Sequence, residues 1–433
     1  MSSKNQGQLR RVVGIPGAIF MGLGSILGTG IFVSIGIAAG ITGPSVVYAV
    51  LLAAAVATFN GLSSAQLAAN HAVSGGTYEY GYRYLSPTLG FSAGWMFLCA
   101  KSASAATASL GFAGYFLSFS QISFPGDRVV IALAVIALFT LIVVGGLRRS
   151  NQANIVIVSV TLLALLTLVV FGASTAVDGF SVQMQSWKSN AEQGDSAKSF
   201  MQATALMFVA YTGYGRIATL GEEIKNPRRN IPRAMIATLV IIGVLYALVS
   251  WVAVGVLGAE ALGNAAKAFA APLQKVGAVL ELSWLSTFIV VGAITAMLGV
   301  LLNLLLGLSR VALAMARRKD LPSQLAVVSD GNGSPDRAVV FVGVIIAGLS
   351  CLGSVETTWS FSAFTVLIYY SLTNAASLQL SDEERLFPRW VSYAGLLSCL
   401  GLAFWVEPLF WMTGTGILLA GIAGRALIRK TDI

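Results

Sequence analysis

Charged side chains are scarce in this sequence: 10% of its residues are Asp, Glu, Lys or Arg, whereas 56% are hydrophobic. So few polar residues cannot cover the surface of a soluble globule of 433 residues. Apolar runs of about twenty residues recur along the chain, which indicates helical spans, because barrel strands are about ten residues long and alternate in polarity. The sequence therefore predicts an all-α polytopic membrane protein.

Residues that carry catalytic chemistry are also few. The chain has one histidine, and its three cysteines, Cys99, Cys351 and Cys399, all lie inside apolar segments. This placement argues against a disulfide framework or a metal site. With no acidic pair deep in a span, we expect no enzymatic activity inside the membrane and no cofactor.

The basic residues are distributed unevenly. If the spans alternate, 20 of the 27 Lys and Arg residues lie on the side of the N-terminus and 5 on the other side, with Lys101 and Arg216 inside spans. This asymmetry is the positive-inside pattern. We therefore expect a cell-membrane protein with both termini in the cytosol, and no nucleic-acid partner despite the net charge of +9.

Hydropathy divides the chain into about twelve transmembrane helices. A cytosolic N-terminus, 1–12, precedes span 1, a long outer loop at 173–198 follows span 5, and a small outer helix is predicted at 265–280. The C-terminal part, 379–433, holds spans 11 and 12 and a cytosolic tail. The predicted spans are 13–40, 44–69, 88–119, 128–147, 151–172, 199–223, 233–258, 284–316, 338–354, 358–378, 387–404 and 407–427.

Glycines interrupt spans 1 and 6. Four of them lie within Gly22–Gly30, and each costs about 1 kcal/mol of helix stability relative to alanine. Tyr211–Gly215 repeats the feature in span 6. Non-helical backbone at membrane depth is tolerated where it lines a cavity, so we predict a midplane site with amides for a carboxylate and carbonyls for a cation. The alternative is that the glycines only permit close helix packing.

Spans 1 and 6 each begin a group of five. Because five is odd, the second group enters the membrane from the opposite side, as inverted repeats require. We therefore predict a first repeat at 13–172, a second at 199–378, and two peripheral helices.

Five segments resemble the amino acid–polyamine–organocation (APC) superfamily of permeases. Gly24–Phe32 resembles its first-helix signature, Ser74–Tyr80 the loop after its second helix, and Gly94-Trp95 the entry to its third. Phe208–Pro232 resembles its sixth helix and following loop, and Ser309–Pro322 the end of its eighth. The resemblance implies a five-plus-five, LeuT-like fold and a secondary transporter, a symporter or exchanger, for an α-amino acid.

In the resembling permeases, unwound backbone in helices 1 and 6 holds the carboxylate and ammonium of the substrate. Phe208 would be an aromatic gate over that substrate, or one more lipid-facing phenylalanine. We expect a monomer in the lipid bilayer; a polyamine or other organic-cation carrier, a nutrient sensor or a channel of this fold are the alternatives. The implied substrate-binding residues are Ser25, Ile26, Gly28, Thr29, Gly30, Phe208, Ala210, Tyr211 and Thr212.

Coupling to proton or sodium is left open by the sequence. Several members of the resembling family carry a lysine on helix 5, but Thr161 stands at that place here. Either a cation such as sodium fills the site or another amine substitutes. Lys101 lies at the same depth as Thr161, roughly 16 Å from the inner face at 1.5 Å per residue, so it could load and release a proton. Snorkelling along span 3 or a buried structural contact are the other readings of Lys101.

The remaining gating or coupling candidates are polar residues near the inner half of the spans. Arg216 could read an acidic substrate side chain, pair with Glu222 or Glu223, or snorkel to the inner water. Glu222 and Glu223 could close a cytosolic gate through ion pairs, although exposed pairs contribute little. Thr295 and Asn303 on span 8 face either the site or a neighbouring helix.

Overall fold

The apolar runs form helices because backbone groups in hydrocarbon must bond within their own segment. In the computed structural model, residues 13–71, 75–122, 124, 126–146, 151–190, 196–219, 223–329 and 334–431 are described. Within those ranges the only β-pairing is a bridge between Val13 and Ile224, and there is no strand. The fold is all-α, as predicted.

Seventeen α-helices are present in the described ranges. The first half contains α1 Ile15–Ile26, α2 Ile35–Thr42, α3 Val46–Asn70, α4 Thr77–Tyr84, α5 Pro87–Ser120, α6 Asp127–Val144 and α7 Asn151–Asn190. The second half contains α8 Ser196–Tyr211, α9 Gly215–Thr219, α10 Pro227–Leu257, α11 Ala259–Phe269, α12 Pro272–Val279, α13 Ser283–Arg317, α14 Asp336–Ser350, α15 Val355–Leu378, α16 Arg389–Ala403 and α17 Pro408–Thr431.

Helices α5 and α15 form the centre of the bundle. They pack against each other, α5 also packs against α13, and both bury most of their residues. In contrast, α6, α7 and α17 expose large apolar side chains such as Leu141, Val170 and Leu419. Exposed apolar surface on this scale matches lipid rather than water. The central helices therefore hold the polar interior, and the outer helices face acyl chains.

Six helical stretches are long and apolar enough to cross a membrane by length and composition, counting the described residues only. Helix α5 is not among them although it has 34 residues, because Ser, Thr, Gly and Ala dilute its hydropathy. The six stretches are Gly30–Asn70, Asp127–Val144, Gln152–Trp187, Pro227–Leu257, Ser283–Arg317 and Pro408–Leu427.

The outer loop predicted at 173–198 is wrong for most of its length. Helix α7 continues to Asn190, and α8 begins at Ser196. Hydropathy marks where a segment leaves the hydrocarbon, but 173–190 contains no proline to end the helix there. The small outer helix predicted at 265–280 is instead two helices, α11 and α12.

One end of the bundle, here called the N-terminal face, carries Val13, α4 and the segment after α13. The Val13 N–H donates to the Glu223 carbonyl at 3.0 Å, which ties the start of α1 to the segment after α9. At the opposite end, the distal face, α2 packs against α11. The two ends are therefore built from different elements.

A buried ion pair anchors the N-terminal face. Arg425 Nε lies 2.7 Å from Asp320 Oδ1, and both side chains are buried. The Tyr78 and Tyr82 hydroxyls also donate to Asp320. This cluster joins α4 and α17 to the end of α13.

We expect Asp320→Ala to destabilise the protein by about 3–5 kcal/mol, because it leaves the Arg425 charge buried and unpaired. The measurement is thermal unfolding of the detergent-purified protein. Asp382→Ala is the matched control: its carboxylate pairs with Arg385 but is 86% exposed, so its loss should cost less than about 1 kcal/mol. Equal unfolding temperatures for the two variants would contradict the anchoring role.

Candidate functional site

The first helix is interrupted after Ile26, where glycines make the helix weakest. Leu27 adopts an extended ψ of 111°, and the chain resumes as a π-helical turn at Gly30–Ser34. A helix end leaves carbonyls without partners, and these must be satisfied in a membrane. Side chains from two other helices do this for α1: Asn303 donates to Gly24 O at 3.3 Å and Tyr246 to Ile26 O at 3.1 Å. Asn154 donates to Phe20 O, further back inside α1, at 2.8 Å.

The second interruption separates α8 from α9 by a 3₁₀ turn at Thr212–Tyr214. Tyr370 of α15 donates to the Thr212 carbonyl at 3.1 Å. Lys101 Nζ of α5 donates to Thr212 Oγ1 at 2.8 Å, and that hydroxyl donates in turn to Val209 O. The ammonium of the buried lysine is therefore held at the break.

The two interruptions touch each other. A Cβ on Gly30 would lie 2.8 Å from the Ala210 Cα, and a Cβ on Gly213 would overlap the Ser25 carbonyl. Only glycine permits such an approach of two backbones. Close packing and interruption, which were alternative readings of these glycines, therefore occur together.

A cavity of about 140 Å³ lies beside the two interruptions and extends toward the N-terminal face, where Gly75 and Thr219 line it. Its lining residues are Ser25, Gly75, Phe97, Lys101, Thr212, Gly213, Gly215, Arg216, Thr219, Val300, Asn303, Leu304, Gly307, Arg310, Val311, Tyr369 and Tyr370.

Two of the nine implied substrate residues, Ser25 and Thr212, line this cavity. The other seven are not lining residues; of these, Gly28 faces Val300, which is one. The Thr29 hydroxyl is buried and has no hydrogen-bond partner among the described residues. Those outside the wall are Ile26, Gly28, Thr29, Gly30, Phe208, Ala210 and Tyr211.

Phe208 does not face lipid. It is fully buried and makes an edge contact with the Tyr370 ring, at a centroid distance of 5.7 Å. Because Tyr370 lines the cavity and Phe208 does not, Phe208 packs behind the Tyr370 ring.

Some of the gating and coupling candidates line the cavity and others do not. Lys101, Arg216 and Asn303 line the cavity. Thr161 and Thr295 do not, and their hydroxyls donate to carbonyls of their own helices, Ile157 O and Val291 O. Lys101 therefore faces the cavity, whereas Thr161 does not.

The acidic pair proposed for a gate is only partly described. Glu222 lies outside the described residues. Glu223 is half-buried, and its backbone carbonyl accepts the bond from Val13. This bond between two backbone groups ties the start of α1 to the segment after α9 at the N-terminal face.

Among the residues of the site that sequence reasoning missed are Tyr246, Tyr369, Tyr370 and Arg310. The hydroxyl of Tyr246 lies near carbonyls of both interruptions, Ile26 O and Ala210 O. A signal existed, since tyrosines in the middle of an apolar span need a polar partner.

Among the described residues no cluster of His, Cys, Asp and Glu could hold a metal ion.

Comparison with known proteins gives a consistent picture. The family model described as amino acid permease matches residues 17–423. An uncharacterized transporter of Mycobacterium tuberculosis is 36% identical, over 98% of this chain and 92% of the relative. The branched-chain amino acid permease BcaP of Bacillus subtilis is 28% identical over 95% and 91%, and the vacuolar cationic amino acid transporter 4 of Arabidopsis thaliana is 25% identical over 84% and 64%.

The contact between the two interruptions predicts a contrast between two cavity glycines. We expect Gly213→Ala to lower the thermal stability and abolish transport, because the added methyl would overlap the Ser25 carbonyl. Gly307→Ala should be tolerated in both measurements, since nothing lies within 4 Å of the position that its added methyl would take. Similar behaviour of the two variants in unfolding and uptake assays would show that the backbone contact is dispensable.

Proposed function

Because this chain belongs to the amino acid permease family and is a multi-pass membrane transporter, not an enzyme, we propose that it moves an α-amino acid by alternating access. The observation that supports this is the cavity beside two interrupted helices, whose walls include Ser25 and Thr212 from the breaks themselves. Secondary carriers bind substrate at such breaks. The twelve-span arrangement with inverted repeats is part of the same proposal.

Recognition of the substrate is proposed to use backbone and neutral side chains. A carboxylate would accept bonds from amides at Gly28–Gly30, where the next helical segment begins. The unpartnered Thr29 hydroxyl is a further donor there. An ammonium would donate to Ser25 Oγ and to the side-chain oxygen of Asn303, whose nitrogen already donates to Gly24 O. Substrate entry requires movement of Val300, which covers Gly28.

The cavity extends toward the N-terminal face while the distal face is closed, which suits one end state of alternating access. At the distal face, α2 and α11 approach so closely that a Cβ on Gly40 would lie 2.9 Å from the Gly263 Cα. With the N-terminal face in the cytosol, this state is inward-facing. Separation of α2 from α11 would produce the outward-facing state.

We expect the purified protein in proteoliposomes to show saturable uptake that is accelerated by unlabelled amino acid on the far side. An amino acid amide, which lacks the carboxylate, should compete at least about tenfold more weakly than the parent amino acid. Uptake without such acceleration would indicate a channel, and binding without uptake a nutrient sensor. Stronger competition by diamines than by amino acids would indicate a polyamine carrier.

Lys101 is proposed to couple transport to protons. Its ammonium is bonded to Thr212 at the break, so proton release would change a contact that holds α8, α9 and α5 together. The other ionisable lining side chains are arginines and tyrosines, whose usual pKa values lie far from neutrality. Sodium held near Thr161 is the alternative.

We expect Lys101→Met to flatten the pH dependence of uptake, because the group proposed to load and release the proton is removed. Lys267→Met, on the exposed surface of α11, is the matched control and should leave the profile unchanged. His71→Gln is a second control. Burial and the adjacent Arg83 guanidinium lower the pKa of His71, so it is largely neutral at pH 7 and charges only as pH falls.

An unchanged pH profile in Lys101→Met, together with stimulation by sodium, would contradict the proton-coupling proposal. It would instead assign the cation role to the region of Thr161.

A further inference from the structure

The charge on the cavity wall has one sign. Lys101, Arg216 and Arg310 line it, and no Asp or Glu is among its described lining residues. In a chain with 18 acidic residues against 27 basic ones, a wall with three cations and no carboxylate is unbalanced. Charges of one sign on a cleft with low-dielectric walls raise the local concentration of the opposite charge.

Arg216 is the cation nearest the second interruption. It belongs to α9, directly after the 3₁₀ turn, and is half-buried. No described carboxylate makes an ion pair with it. Among the described residues, Arg310 repels it and Glu223 attracts it. Glu223 is not one of the residues that line the cavity.

Several arginines elsewhere on the N-terminal face lie against a carboxylate. Arg425 pairs with Asp320, Arg318 with Glu79 and Arg385 with Asp382. At these positions the protein itself neutralises the positive charge. No described carboxylate lines the cavity in this way, and a guanidinium without an anion in a partly dry site is costly.

We propose that the cavity selects an amino acid with an anionic side chain, of the aspartate or glutamate class, and that Arg216 binds its side-chain carboxylate. This inference rests on the proposed function and adds the substrate class. A guanidinium presents two parallel N–H donors that match the two oxygens of a carboxylate. Neither glutamine nor an amino acid with a cationic side chain has a side-chain carboxylate. Arg310, at the exposed mouth of the cavity, raises the concentration of the anion.

The same wall disfavours cationic substrates. A lysine or arginine side chain would enter a cavity that already holds three positive charges and would meet like-charge repulsion. Similarity to a relative named as a cationic amino acid transporter therefore does not extend to the charge preference of this chain.

The test compares L-glutamate, L-glutamine and L-lysine as competitors of counterflow in proteoliposomes. We expect wild-type protein to prefer glutamate to glutamine by at least about tenfold. Arg216→Gln should reduce that preference to near unity while the affinity for glutamine stays within about twofold. Arg216→Lys, which keeps the charge but loses the paired donors, should retain part of the preference.

Arg317→Gln is the matched control, because Arg317 is exposed on α13 and does not line the cavity. It should keep the wild-type preference. Thermal unfolding of each variant shows that the protein is folded, and the glutamate-to-glutamine ratio separates recognition from a general loss of activity.

Transport of glutamine or leucine in preference to glutamate would overturn this inference alone and leave the carrier proposal intact. An unchanged glutamate-to-glutamine preference in Arg216→Gln would also overturn this inference and leave the carrier proposal intact, because Arg216 would then be a solvated charge that does not contact the substrate. Equal competition by succinate, which has no ammonium, would overturn the assignment to an amino acid. Absence of transport for all amino acids would overturn the proposed function and this inference with it.

Discussion

The constraint on which this structure depends is that backbone groups freed by a broken membrane helix must be paired without water. Each unsatisfied group in hydrocarbon costs several kcal/mol. The chain meets this demand with polar side chains from three helices: Tyr246 of α10, Asn303 of α13 and Tyr370 of α15 all donate to carbonyls at the breaks. A polar residue that looks isolated in its own apolar span therefore has its hydrogen-bond partner at the interruption of another helix.

This pairing also determines what remains available to a ligand. The carbonyls of Gly24, Ile26 and Thr212 each already accept a bond from a side chain, which leaves at most one lone pair of each for a ligand. Further polar groups are the Thr29 hydroxyl, which is buried without a described partner, and the cavity faces of Ser25 and Asn303. A site built this way recognises a small polar molecule through few direct contacts, and its electrostatic character comes from the cations on the wall.

The sequence predicted the interruptions because glycine weakens a helix wherever it stands, and that effect is local. Lys101, Arg216 and Asn303 were singled out because polar groups at membrane depth are expensive, and all three line the cavity. Thr161 was named from the resemblance and Thr295 as a polar residue on span 8, but both bond to their own helices, because neither signal determines which way a side chain faces. Helix α7 extends past its predicted end because hydropathy reports the limit of the bilayer and not that of the helix. Contacts between distant segments, such as Tyr246 with Ile26, require the folded chain.

The two proposals about charge are linked by thermodynamics. Lys101 and Arg216 line one cavity, so a carboxylate bound there interacts with both cations. Such an anion favours the charged ammonium of Lys101, and by reciprocity the charged ammonium favours the anion by the same factor. Release of the substrate would then favour release of the proton, and loss of that proton would weaken the bond between Lys101 and Thr212 at the break. Substrate charge, protonation and the geometry of the interrupted helix would thus change together, which is what a proton-coupled carrier of an anionic amino acid requires.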